Sequence, residues 1–249
     1  MSNKDLINFK KTKFFDGISW IIEGMRIFLK KPLPLLIVSL PFLFGFTGIM
    51  WINIQGVYTA SGALLATFVL SLIFPLSVQA ITVSYKQFED NQEVRLSKSY
   101  NQVFSLNGLR LILVYVLLVL FCSFGSNYFF SLVQSESVII NYVFQSVFIV
   151  LQFIILLAIP LNVYSKKRIR PFRILFLSLI GLIRNFIPCL TVIISAFILL
   201  ILAILLAKYL AIVAGKGAIV FYLLELWLFV TWLGTTAIAM FKAIYTQID

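Results

Sequence analysis

The chain has 249 residues, of which 61% are hydrophobic and only 12% charged, with a net charge of +11 and a mean hydropathy of +1.05. Globular domains are roughly 45–50% apolar and about 25% charged, so a soluble fold would expose apolar surface it cannot cover; this composition requires a bilayer as solvent. Histidine is absent and Asp plus Glu total 9, which excludes Ser-His-Asp and Cys-His nucleophilic systems and most zinc sites.

The first thirty residues are polar and basic with no apolar core, so they are not a cleavable signal. The apolar run after Lys31 reads as a retained first helix, because five more spans follow. A spanning helix needs about 20 mostly apolar residues. Six segments qualify: Leu33 to Ile52, Gly62 to Val83, Leu109 to Phe130, Val138 to Val163, Phe186 to Ala207 and Gly217 to Phe241. None alternates as an outer-membrane strand would, and backbone groups in lipid must be satisfied internally, which selects helices. Pro41, Pro75, Pro160 and Pro188 lie in or beside these spans and predict kinks, not breaks. Cys122 and Cys189 sit in apolar runs and read as small packing residues.

Orientation follows from charge. Of the 20 lysines and arginines, only Lys208 and Lys216 fall on the side opposite both chain ends, so both termini are expected in the cytoplasm. The positive charge is then a cytoplasmic rim facing anionic lipid headgroups, and no nucleic-acid partner is expected.

The connections on the basic side carry a pattern of their own. Phe14, Phe15, Ile18, Ile21, Ile22, Met25, Phe28 and Leu29 recur at helical spacing, with Asp16, Ser19, Glu23, Arg26 and Lys30 opposite. This predicts an amphipathic helix lying in the membrane interface. Leu96, Tyr100, Val103 and Phe104 repeat the pattern more weakly, and a third copy starts at Pro171, a favourable first helical residue. The joints into the next span look alike: GMRIFLKKPLP from Gly24, NGLRL from Asn107, GLIRNFIP from Gly181. So do the ends of the even spans: SVQAITVSYKQ, LNVYSKKR, AIAMFKAIYTQ. The expected architecture is therefore all-α, a single membrane domain of three units that recur with a period of about 77 residues. The units cover residues 14–85, 93–164 and 170–245, each an interfacial helix followed by a helical hairpin.

The opening GxxWIxEGxRxFxxxP, from Gly17 to Pro32, leads into six spans and resembles the YciC-like bacterial inner-membrane proteins. It also resembles the membrane region beside some glycerophosphodiester phosphodiesterase domains. The resemblance implies a multi-pass inner-membrane location and no reaction. The phosphodiesterase domain needs His and carboxylates that this chain lacks.

Few residues can carry chemistry. Glu225, in FYLLELWLF, is the one acid deep in a span, and an intramembrane carboxylate is a functional candidate by default. The plain alternative pairs it with Lys208 or Lys216. Asn141, Gln145 and Gln152 fall close to one helix face and could line a polar path with Glu225. Together with Gln79 and Asn162 they read more readily as interhelical hydrogen-bond glue. Ala203, Ala207, Ala211 and Gly215 recur every fourth residue and mark close helix packing. Trp51, Trp227, Trp232, Tyr58 and Tyr85 read mostly as interface anchors. No catalytic residue, cofactor or metal ligand is assigned. The leading expectation is a non-enzymatic scaffold or accessory in envelope or lipid homeostasis, with membrane lipids and a second copy or another membrane protein as partners. A small transporter using Glu225 and the amides is the rival, and an intramembrane enzyme stands third.

Overall fold

The computed structural model describes residues 8–10, 12–13, 15–54, 60–90, 93–133, 138–165 and 169–246. Phe14, Tyr58 and the Gly56 loop fall outside them, as does the side chain of Trp51. The described chain is helical apart from one short strand pair. In chain order it forms α1 (Asp16–Lys30), α2 (Pro32–Val38), α3 (Leu40–Ile54), α4 (Ala60–Glu89), α5 (Leu96–Val103) and α6 (Leu106–Val133). There follow α7 (Val138–Tyr164), α8 (Pro171–Arg184), α9 (Phe186–Ala214) and α10 (Ala218–Ile244). β1 (Asn8–Phe9) pairs antiparallel with β2 (Tyr245–Thr246), Phe9 opposite Tyr245, so the two ends of the chain meet on one side.

Four described helical stretches are long and apolar enough to cross a membrane: Phe68–Glu89, Leu106–Gly125, Phe186–Val213 and Ile219–Ile244. The pair Pro32–Val38 and Leu40–Ile49, bent by 44° where they meet, makes a fifth when counted as one span. The fully described part of α7, Ile149–Tyr164, is apolar but shorter. The fold is that of a helical membrane protein.

The first span breaks where a kink was expected. Pro41 has no N–H to offer the preceding turn, and the helix stops at Ser39. Val38 O, freed at the break, and Leu36 O, which also accepts from Ser39 N–H and Oγ–H (3.1 and 2.9 Å), find partners in other helices. Trp227 on α10 donates its indole N–H to Leu36 O (3.1 Å) and Ser39 Oγ (2.8 Å), and the Tyr100 hydroxyl on α5 donates to Val38 O (2.9 Å). Pro75 and Pro160 sit inside unbroken helices, and Pro188 lies in the first turn of α9, where a missing N–H costs nothing. The fifth span overruns its expected end at Ala207. α9 continues to Ala214, about 43 Å at 1.5 Å per residue, because leucine, alanine and isoleucine carry the helix on past Lys208.

α4, α7 and α10 pack against one another at the centre, with α3, α6 and α9 outside them. The short amphipathic helices seat on the bundle in rotation: α1 on α10 and α9, α5 on α4, α8 on α7 and α6. α1 packs on the bundle through its small residues, a face its periodicity did not specify. Its buried row is Gly17, Trp20, Gly24 and Ile27. Phe15, Ile18, Ile22, Met25 and Leu29 form an exposed apolar row instead. The two glycines set the approach: a Cβ on Gly17 would stand 2.5 Å from Pro188 O, and one on Gly24 would stand 2.7 Å from Thr236 Cα. The larger side chains are thus left exposed beside the polar row. Trp232 and Tyr85 are buried in the core rather than placed as anchors, and Trp227 is spent on the helix break.

Candidate functional site

The ends of the three central helices are tied together at the side where the termini meet. Glu89 closes α4. It accepts a hydrogen bond from the Tyr164 hydroxyl of α7 (2.6 Å) and pairs with Lys242 of α10. Lys242 lies over the Tyr85 and Tyr164 rings (4.9 and 5.7 Å to the centroids), and Tyr164 stacks on Phe241 at 5.2 Å. Asn185, between α8 and α9, accepts from Thr12 N–H and Oγ1–H (3.0 and 2.7 Å) and donates to Gly181 O, anchoring the N-terminal segment. Arg184 lies over the Phe9 ring. Tyr245 donates to Leu177 O, and burial pushes its hydroxyl pKa up. These contacts gather the basic connections on one end of the bundle, the basic end.

Beside this closure lies a cavity of about 730 Å³ between the end of α4, the α5–α6 joint, the end of α7 and the start of α8. Lys86, Arg110 and Arg170 supply three cations to its wall, and no carboxylate lines it among the described residues. Lys86 spends one ammonium hydrogen on Val163 O (2.7 Å), which leaves two of its three donors. Arg110 and Arg170 make no ion pair with any described residue. Gln102, Asn107, Asn162 and Ser105 add amide and hydroxyl groups. Gln79 enters from α4 and is only 2% exposed, yet its Oε1 has no hydrogen-bond partner among the described residues. Gly108 makes the approach possible, since a Cβ there would collide with Gln79 Nε2 and Val103 O. With fixed cations and amides and no acid–base pair, the wall suits holding an anion.

The residues singled out by sequence are arranged otherwise. Glu225 lies on α10, half-buried; its Oε2 is buried without a hydrogen-bond partner, and no ion pair joins it to Lys208 among the described side chains. Gln152 is half-buried on α7 beside the Tyr115 hydroxyl of α6. Asn141 and Gln145 belong to α7, but their side chains fall outside the described residues. No described contact joins Glu225 to Gln152. Ala203 and Ala207 are half-buried on α9, Ala211 and Gly215 exposed. Cys189 is buried and Cys122 half-buried, both as free thiols. Among the described residues no three metal-ligating side chains cluster. The cavity went unread because its residues come from four separate segments. Its one signal was the recurrence of basic and amide residues at the joints and even-span ends, at Gln79, Lys86, Asn107, Arg110 and Asn162.

No protein-family model, curated protein or solved structure matches the chain.

Proposed function

We propose that the chain is a six-span protein of a bacterial inner membrane, built from three repeats with both termini cytoplasmic, and that it serves as a non-catalytic scaffold or accessory in envelope or lipid homeostasis. The observation that carries this reading is the rotating contact pattern. Each short amphipathic helix seats on the second span of another unit: α1 on α10, α5 on α4, α8 on α7, around three mutually packed central helices. α2 and α3 count as one bent span and α7 as the sixth. Such a ring turns apolar side chains to lipid all round and gathers its cations on one face, the form of a platform on the inner leaflet. The resemblance to YciC-like proteins belongs to the same proposal. Gly17, Trp20 and Gly24 of its motif are the buried row of α1, which makes the motif architectural rather than chemical. Mild-detergent isolation of the full chain, with mass spectrometry of bound proteins and lipids, tests the role. A stoichiometric partner or an enriched lipid class is expected; a pure, lipid-indifferent monomer with a turnover activity would reverse the reading.

A small transporter is the second reading, favoured by Glu225 Oε2, which is buried without a hydrogen-bond partner among the described residues. It runs Glu225 with Asn141, Gln145 and Gln152 along a polar path. Glu225→Gln should then abolish uptake in proteoliposomes without loss of fold, whereas in a scaffold the same change is silent.

A further inference from the structure

The cavity at the basic end joins two features seldom found side by side. Inside, Lys86, Arg110 and Arg170 face one space with no carboxylate among its described lining residues. Next to its lining residues the chain turns apolar outward: Leu106, between the lining residues Ser105 and Asn107, is 62% exposed, and Phe172, beside the lining residue Pro171, is 68% exposed. A soluble anion has no use for such apolar neighbours. An amphiphile with a charged head does, because its head meets the cations while its chains lie along the apolar side chains.

We propose that this cavity is a binding site for the headgroup of an anionic phospholipid, with the phosphodiester held by Arg110, Arg170 and Lys86 and the acyl chains passing Leu106 and Phe172. Guanidinium groups offer paired N–H donors to phosphate oxygens, and Lys86 adds a point charge. The buried Gln79 Oε1 has no hydrogen to accept within the described protein. A buried acceptor left alone is unfavourable, and a headgroup hydroxyl would supply the missing donor. The ligand class is therefore a phosphodiester lipid whose headgroup carries free hydroxyls and no cation, as in phosphatidylglycerol. The site deepens the lipid-facing role proposed above and rests on the membrane placement given there.

The test uses the full chain in nanodiscs of phosphatidylcholine with a minority of phosphatidylglycerol or phosphatidylethanolamine, with bound lipid counted by native mass spectrometry. Phosphatidylglycerol should be retained over the other two. Arg110→Gln should weaken retention about fivefold, the factor one interfacial cation carries, and Arg110→Gln with Arg170→Gln about thirtyfold. Arg170→Lys should keep most of it. Arg95→Gln is the control: Arg95 pairs with Glu93 at 3.6 Å outside the cavity, so its loss should change little. An equal loss with Arg95→Gln would mean diffuse surface attraction and overturn the site. Undiminished retention in the double variant would overturn it too, as would inorganic phosphate binding as tightly as the lipid. Accessibility labelling of the termini in the same preparations separates the two claims: correct topology with no lipid preference removes only this site, whereas reversed topology removes the membrane placement beneath it.

Discussion

Gly24→Leu probes the face by which α1 holds the bundle. Gly24 stands against the backbone of α10: a Cβ placed on it would lie 2.7 Å from Thr236 Cα and 2.9 Å from Thr236 N. Relaxed carbon contacts are about 3.5–4.0 Å, so α1 must back away by about 1 Å, and helix backbone, unlike a side chain, cannot rotate clear. Overpacking of this kind costs about 1–3 kcal/mol, and leucine brings three more carbons to the same wall. Replacing glycine inside a helix returns up to about 1 kcal/mol. A net loss of about 2 kcal/mol is expected, or roughly 4–8 °C in melting temperature for a chain of this length. The companion variant is Ile22→Ala. Ile22 is exposed on the outward row, so in detergent its truncation should stay within about 0.5 kcal/mol. Were that row turned inward, Ile22→Ala would instead open a cavity costing about 2–5 kcal/mol. Thermal unfolding in one mild detergent, followed by fluorescence, compares the pair. A silent Gly24→Leu beside a damaging Ile22→Ala would refute the packing of α1 described here.

Trp227→Phe removes the indole donor from Leu36 O and Ser39 Oγ and should cost about 0.5–1.5 kcal/mol. Combined with Ser39→Ala, the loss should fall short of the sum, since both act on one network; strict additivity in a double-mutant cycle would contradict the shared role. The Lys242–Glu89 pair is part-exposed, so Lys242→Gln should cost only about 0.2–1 kcal/mol, and the difference from wild type should shrink at high salt. A salt-independent effect would point to the ring contacts of Lys242 instead. On a background lacking Cys122 and Cys189, a cysteine at Lys216 should react with an impermeant thiol reagent in spheroplasts, and one at Lys98 only after permeabilisation. The reverse pattern would invert the proposed topology.

Composition and charge order carried the class of this protein, because they report on solvent. A chain with 61% hydrophobic residues and 12% charged has one medium in which to fold, and the lengths of its apolar runs follow from that medium's thickness. Helix type was legible for the same reason: each backbone group in lipid must be satisfied within its own segment. Periodicity also located α1, α5 and α8, though not the face each turns inward. In water the apolar row goes to the core. In a bilayer lipid accepts that row equally well, and the protein-facing row is chosen by how closely two backbones can approach. That is why Gly17 and Gly24, and not Ile18 and Ile22, lie against α9 and α10. The break at Ser39 needed the donors of Trp227 and Tyr100, which are remote in sequence. The cavity needed Gln79 and Lys86, Arg110, Asn162 and Arg170 brought to one place from four segments. Local patterning, set by the solvent each segment meets, was written in the sequence; the convergence of charges and the direction of each packing face were decided only when the helices met, because those depend on distances between residues that no spacing along the chain encodes.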